Sequence, residues 1–170
     1  MTFNLIVLPL AFLSIWVFIS TWTKIGDWRF SFLLAFLGSN LYLVFITTSL
    51  SLISHLNRLF VTALWGLPIL ILGILLLMPK MRRRIRLPII PLGDLTGFQI
   101  LLITMISLIL VTLGLTAFFA PPNTPDVLNY HMPRVMHWIQ NQSVRHYPTG
   151  IEFQNSYPPG SEYQILHLAI

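Results

Sequence analysis

The sequence contains no cysteine, which excludes disulfides and thiol chemistry and leaves the compartment open. Charge is scarce as well. Asp, Glu, Lys and Arg make up 9% of the 170 residues, against about 25% in soluble domains. So few charges cannot clothe a soluble globule, and such a globule would have to bury nearly all of the twelve Phe and five Trp. Alternating strand patterns, internal repeats and low-complexity tracts are missing too. The N-terminus, Met1 to Asn4, lacks a basic segment ahead of its apolar stretch, and no small-residue cleavage site follows. A cleaved signal peptide is therefore not expected.

Long apolar runs are what the sequence does have. A helix needs about 20 apolar residues to cross the hydrocarbon core. Four segments reach that length: Phe3 to Trp22, Phe30 to Ile53, Leu59 to Met78 and Phe98 to Ala120. Pro68 is expected to kink the third. Helices satisfy their own backbone in lipid, so the fold class is all-α, a polytopic transmembrane protein. Trp22 and Trp28 flank the first connection as interface anchors.

The net charge of +5 and pI near 10.1 would suggest nucleic acid in a soluble protein. Here Lys80, Arg82, Arg83, Arg84 and Arg86 crowd beside a span, so the charge reads as an orientation signal, ahead of a lipid-head-group site, and no nucleic acid partner is expected. With that run in the cytoplasm, Lys24 and Arg29 fall on the same side, giving seven basic residues inside. Arg58, Arg134 and Arg145 make three outside. The N-terminus and everything after Ala120 are then expected to be extracytoplasmic.

Composition shifts at Ala120-Pro121, where polar, aromatic and ionisable residues become frequent. Thr124 reads as an N-cap, Pro125 as the first helical residue and Asp126 as a first-turn carboxylate. Leu128, Met132, Val135 and Ile139 recur at spacings of four, three and four, which defines one helical face. Asn129, Arg134, His137 and Gln140 fall largely elsewhere. The expectation is a juxtamembrane amphipathic helix in the interface plane, with Trp138 at head-group depth and a kink at Pro133. An apolar helix begins at Tyr163 and is cut short after two turns, which suggests an N-terminal fragment. The expected organisation is residues 1–120 as four spans, 121–162 as an extracytoplasmic loop and 163–170 as the start of a further helix.

The run Asp126-(x3)-Tyr130-His131-Met132-Pro133-Arg134-Val135-Met136-His137-Trp138-Ile139-Gln140-Asn141, followed by Tyr157-Pro158-Pro159, carries a resemblance. It resembles the first extracytoplasmic loop of C-type membrane glycosyltransferases, above all glycosyltransferase family 39 and its bacterial protein-mannosyltransferase-like and aminoarabinose-transferase-like relatives, and among these the cyanobacterial members. The resemblance covers Ala120 to Ile170, under a third of the chain, and the first three helices carry no family motif. It implies a bacterial plasma-membrane enzyme moving a sugar, with inversion, from a polyprenyl-phosphate donor to a protein, lipid or polysaccharide acceptor. It also implies many more spans than this chain holds, so these residues alone are expected to be inactive.

The chemistry so implied needs a carboxylate to take the acceptor proton and positive groups near the phosphate leaving group. Asp126 is the candidate base; as a bland alternative it stabilises the helix dipole. Tyr130 and His131 contact substrate or pack the helix. Arg134 binds donor phosphate or is an interface arginine. Glu152 and Glu162 read as polar loop residues, Glu162 being the one that can face the site. His131, His137 and His146 show no tight pairing with a carboxylate, and Ser156-Tyr157 stands where some relatives place an acidic residue before Pro-Pro. No cofactor is expected, and that departure counts against a divalent metal. Asn141-Gln142-Ser143 is a formal glycosylation sequon, read as coincidence. A non-catalytic subunit, scaffold or transporter part is the competing reading.

Overall fold

In the computed structural model the chain is described over residues 2–22, 27–85, 87, 95–120 and 124–170. Lys24, Arg86, Pro88, Pro91, Gly93, Asp94 and residues 121–123 lie outside those ranges. Every element among the described residues is helical. The helices are α1 (Thr2–Trp22), α2 (Trp28–Leu52), α3 (Arg58–Leu77), α4 (Pro79–Arg82), α5 (Gly97–Phe119), α6 (Met132–Asn141), α7 (Phe153–Ser156) and α8 (Gly160–Ala169), with a π-helical turn at Val127–His131 leading into α6. Four of them, α1, α2, α3 and α5, are long and apolar enough to span a membrane. The protein is thus an all-helical membrane protein.

Local chemistry sets the helix starts. Asp27 accepts a hydrogen bond from Arg29 N at 2.9 Å, and Asn57 accepts one from Phe60 N at 3.2 Å. Thr96 and Gln99 form a reciprocal capping box ahead of α5. Each device satisfies amides that have no partner inside the helix. Helix α3 runs through Pro68 as one continuous helix.

Helix α1 packs along both α2 and α3. Ala11 and Ala35 are fully buried, as small residues are where membrane helices approach closely. Polar cross-links add direction: Trp16 Nε1 donates to Ser31 Oγ at 3.1 Å, and Tyr42 donates to the Leu64 carbonyl at 2.7 Å. Helix α5 differs, with no buried residue along its length. Its largely apolar surface suits lipid, and its Thr104, Thr112 and Thr116 hydroxyls bond back to the helix's own carbonyls.

Helix α8 packs against α1 and α2, and its His167 reaches α3. His167 is fully buried. Trp65 Nε1 can only donate, so His167 Nδ1 accepts from it at 2.8 Å. Nε2 therefore carries the proton and donates to Thr47 Oγ1 at 2.9 Å, and that hydroxyl donates onward to Leu43 O at 2.8 Å. Asn4 Nδ2 donates to the His167 carbonyl at 3.0 Å, while Thr62 donates to Asn4 Oδ1 at 2.7 Å. Four helices meet in this knot, and each donor has an acceptor.

The loop sits on the α2–α3 turn. Leu56 N donates to the Gln142 carbonyl at 3.1 Å, and Asn57 Nδ2 to Gln142 Oε1 at 3.2 Å. Ser51 and Ser143 hydroxyls meet at 3.0 Å, and Val144 N donates to Ser51 Oγ at 2.9 Å. Gln142 pays for its left-handed backbone (φ 50°) through these bonds, which need its carbonyl and side chain turned to the bundle. The loop thus lies at the same end of the bundle as the α2–α3 turn.

Candidate functional site

The segment after residue 123 starts as its sequence suggests. Thr124 Oγ1 accepts from Val127 N at 3.4 Å, and Pro125 and Asp126 are helical. The next turn is π-helical, with Met132 N bonded to Val127 O. A π turn closes i→i+5 instead of i→i+4, inserting an extra residue. It ends just before Pro133, whose missing amide and ring disfavour regular α-helical bonding there. A π bulge thus stands immediately before the proline at which a kink was expected.

The bulge changes which face is buried. Arg134, Val135 and Trp138 are buried, while Leu128 is exposed. Continuing the 128–132–135–139 face backwards fails because the extra residue rotates everything before it. Two further expectations are corrected here. Arg134 is not on the polar face: it is 1% exposed. Trp138, expected at head-group depth, is buried within the fold: it packs on Tyr163 with ring centroids 5.5 Å apart, under the Arg134 guanidinium at 5.6 Å.

Arg134 organises the segment 153–162. Its Nε donates to Gln154 O at 2.6 Å and Nη2 to Phe153 O at 2.6 Å. Nη1 donates to Tyr157 O at 3.1 Å and to Glu162 Oε1 at 2.9 Å. A guanidinium spent in this way holds a loop; its donors point into the fold. Glu162 belongs to the first turn of α8, which begins at Gly160, and is 1% exposed. It is therefore a buried helix residue, against the expectation of a loop position. Its Oε1 also meets His131 Nδ1 at 3.0 Å, and Ser161 Oγ donates to Oε2 at 2.9 Å. This His–carboxylate pair joins positions 31 apart and no local spacing announces it.

Asp126, Tyr130 and His131 lie at the open end of this cluster. Asp126 is exposed, and Tyr130 and His131 are partly exposed. Tyr130 stacks against His131 at 4.0 Å and meets Tyr157 edge-on at 5.5 Å. Partial loss of hydration holds the Tyr130 phenol above its ordinary pKa, and Asp126, Tyr157 and Glu162 push the same way against Arg134. The phenol thus remains a hydrogen-bond donor at neutral pH. The structure brings together all five residues singled out in the sequence, Asp126, Tyr130, His131, Arg134 and Glu162. The first three face outward and the last two are interior.

Gln154 was not anticipated. Its amide donates to Asn129 O at 2.7 Å and accepts from Tyr147 at 3.0 Å and Thr149 at 2.8 Å. It staples 147–154 to the π turn, and nothing in its neighbours' sequence signals that role. Tyr157 had a signal in the Tyr-Pro-Pro element.

Two hollows flank the cluster. One, of about 100 Å³, lies among Arg134, Trp138, Gln154, Tyr157, Pro159 and Tyr163. It is smaller than the roughly 300 Å³ at which ligand pockets begin. The other, about 380 Å³ and wide open, is lined by His146, Thr149, Gly150, Glu152, Asn155 and Ser156. Asp126 lines neither.

No protein-family model, no curated protein and no solved structure matches the chain.

Proposed function

We propose that this chain carries the catalytic loop of an inverting glycosyltransferase that uses a polyprenyl-phosphate sugar, with the loop on the extracytoplasmic face of a bacterial plasma membrane. The observation that carries the reading is the exposed Asp126 at the start of the helical run through Asn141, its charge felt at Tyr130, beside a span. A polyprenyl donor cannot leave the bilayer, so its anomeric carbon is available only at the interface. A carboxylate a few residues beyond α5 is within reach of that depth.

In the proposed step an acceptor oxygen or nitrogen attacks the anomeric carbon. Its proton passes to the Asp126 carboxylate, and the bond from the anomeric carbon to the phosphate oxygen breaks. The electron pair leaves on polyprenyl phosphate, and a single displacement inverts the centre. Tyr130 offers a hydroxyl toward the sugar. Arg134 and Glu162 act from inside, fixing the segment that faces the substrate.

The test replaces Asp126 with Asn in the full-length protein and follows transfer from a polyprenyl-phosphate sugar. Because Asp126 is exposed, folding should be unaffected, and loss of a general base should slow transfer by about 10²- to 10⁴-fold. Unchanged turnover refutes the role. The second reading, a non-catalytic membrane subunit, scaffold or transporter part, draws on how firmly the loop is bonded to the α2–α3 turn. Absence of any sugar transfer by the full-length protein supports it.

A further inference from the structure

Polyprenyl phosphate gains a second negative charge as it leaves, and the reaction needs a group to meet it. Arg134 had been the obvious cation, yet its guanidinium is buried and committed to three carbonyls and Glu162. The cluster contains one other group able to carry positive charge toward the substrate side. His131 has a side chain 26% exposed, and among the described residues nothing hydrogen-bonds its Nε2.

The orientation of that nitrogen is determined. Glu162 is ion-paired to Arg134 at 2.9 Å, so its carboxylate only accepts. His131 Nδ1 must then carry a proton and donate to it at 3.0 Å. Nε2 is left as the ring's uncommitted nitrogen among the described residues, on a ring held by a carboxylate that is itself held by an arginine. A carboxylate behind an imidazole fixes its tautomer and stabilises its protonated form. With the ring protonated, Arg134, Glu162 and His131 together carry a net charge of +1.

We propose that His131, oriented by Glu162, meets the phosphate of the lipid-linked donor through Nε2–H. The proposal rests on the glycosyltransferase reading. As the bond from the anomeric carbon to the phosphate oxygen breaks, Nε2–H donates a hydrogen bond to the leaving phosphate and passes its proton to it. The acceptor's proton goes separately to Asp126. The groups around the ring are Tyr130, stacked on it, Glu162 on α8, bonded to Nδ1, Arg134 on α6, bonded to the same carboxylate, and Tyr157 across Tyr130, with Asp126 close enough to act on the Tyr130 phenol.

The experiment uses the 170-residue chain in phosphatidylcholine nanodiscs with geranylgeranyl monophosphate as the probe. Asparagine at position 131 keeps a donor where Nδ1 stands and removes the outward nitrogen, so His131→Asn preserves the bond to Glu162. Binding to the native chain should weaken by about fivefold or more between pH 6 and pH 8, as an imidazole discharges. His131→Asn should bind at least about tenfold more weakly and lose that slope, with an unchanged unfolding midpoint. In the native chain, the ¹⁵N signal of the His131 Nε2 should move on addition of the lipid phosphate, a readout that needs no variant. Equal binding and an equal pH slope for His131→Asn overturn the proposal, as does an Nε2 signal that does not respond. Inorganic phosphate binding as tightly as the lipid phosphate overturns the assignment to a lipid-linked donor. Transfer that depends on Asp126 but not on His131 sinks this inference alone. His131-dependent phosphate binding without any transfer by the full-length protein sinks the enzyme reading alone.

Discussion

Arg134→Met tests whether the loop is built around the buried guanidinium. The substitution strands the Glu162 carboxylate, 1% exposed, with only His131 and Ser161 as partners. Removing one member of a buried ion pair costs about 3–5 kcal/mol, most of it the penalty of the charge left behind. The carbonyls of Phe153 and Tyr157 belong to exposed residues and can turn to water, whereas Gln154 is buried and its orphaned carbonyl adds about 1–3 kcal/mol. At about 1.4 kcal/mol per decade, a loss of 4 kcal/mol raises the open population of the 147–162 segment roughly a thousandfold, up to the limit set by its own stability. Native-state cleavage by chymotrypsin after Phe153 reads that population when closing is faster than cutting. Cleavage of Arg134→Met should accelerate by at least about a hundredfold. The double variant Arg134→Met/Glu162→Leu should recover part of the loss, because it replaces both charges with apolar groups and the more exposed His131 can turn to water. Cleavage of the single variant within threefold of the native rate, or a double variant cut faster than the single one, would show that the guanidinium does not hold the loop.

Three further outcomes are expected. Asp126→Asn in the full-length protein should abolish most sugar transfer while leaving chymotryptic cleavage at Phe153 unchanged; a protected loop with full activity contradicts the assignment. His167→Phe should orphan the Trp65 indole N–H and lower resistance to unfolding in detergent by about 1–2 kcal/mol, in keeping with hydrogen bonds between membrane helices; a neutral outcome would mean the knot adds no stability. Because the chain has no cysteine, single cysteines report topology directly: Glu152→Cys and Arg58→Cys should react in whole cells with a membrane-impermeant thiol reagent, and Arg83→Cys should not. The opposite labelling pattern would invert the proposed orientation.

Much of the membrane architecture was legible because it depends on local composition. Each span boundary anticipated from hydropathy lies within two residues of the observed helix end, since a 20-residue apolar run has few alternatives in lipid. The start of the loop helix was legible from Thr124, Pro125 and Asp126 for the same local reason. Its buried face was not. Helical periodicity assumes one repeat throughout, and the π turn before Pro133 breaks it. Arg134 and Trp138 thus moved from an expected surface to the interior. The Pro158-Pro159 pair does mark a boundary, yet α8 starts at Gly160 and carries Glu162 inward, a difference that turns a loop carboxylate into the buried centre of the cluster.

The sequence by itself determined a cysteine-free, charge-poor membrane protein with four segments long and apolar enough to span a bilayer, and singled out the residues from Asp126 to Glu162. Only the tertiary structure decided their division of labour. Asp126 is exposed and Tyr130 and His131 partly so, while Arg134 and Glu162 are buried and Glu162 holds His131 from within. The reason is the range of the forces involved. Hydrophobicity and capping act over one helix turn or one bilayer thickness and leave their mark in composition. An ion pair between residues 28 positions apart depends on where α6 and α8 meet, and no stretch of sequence records that alone.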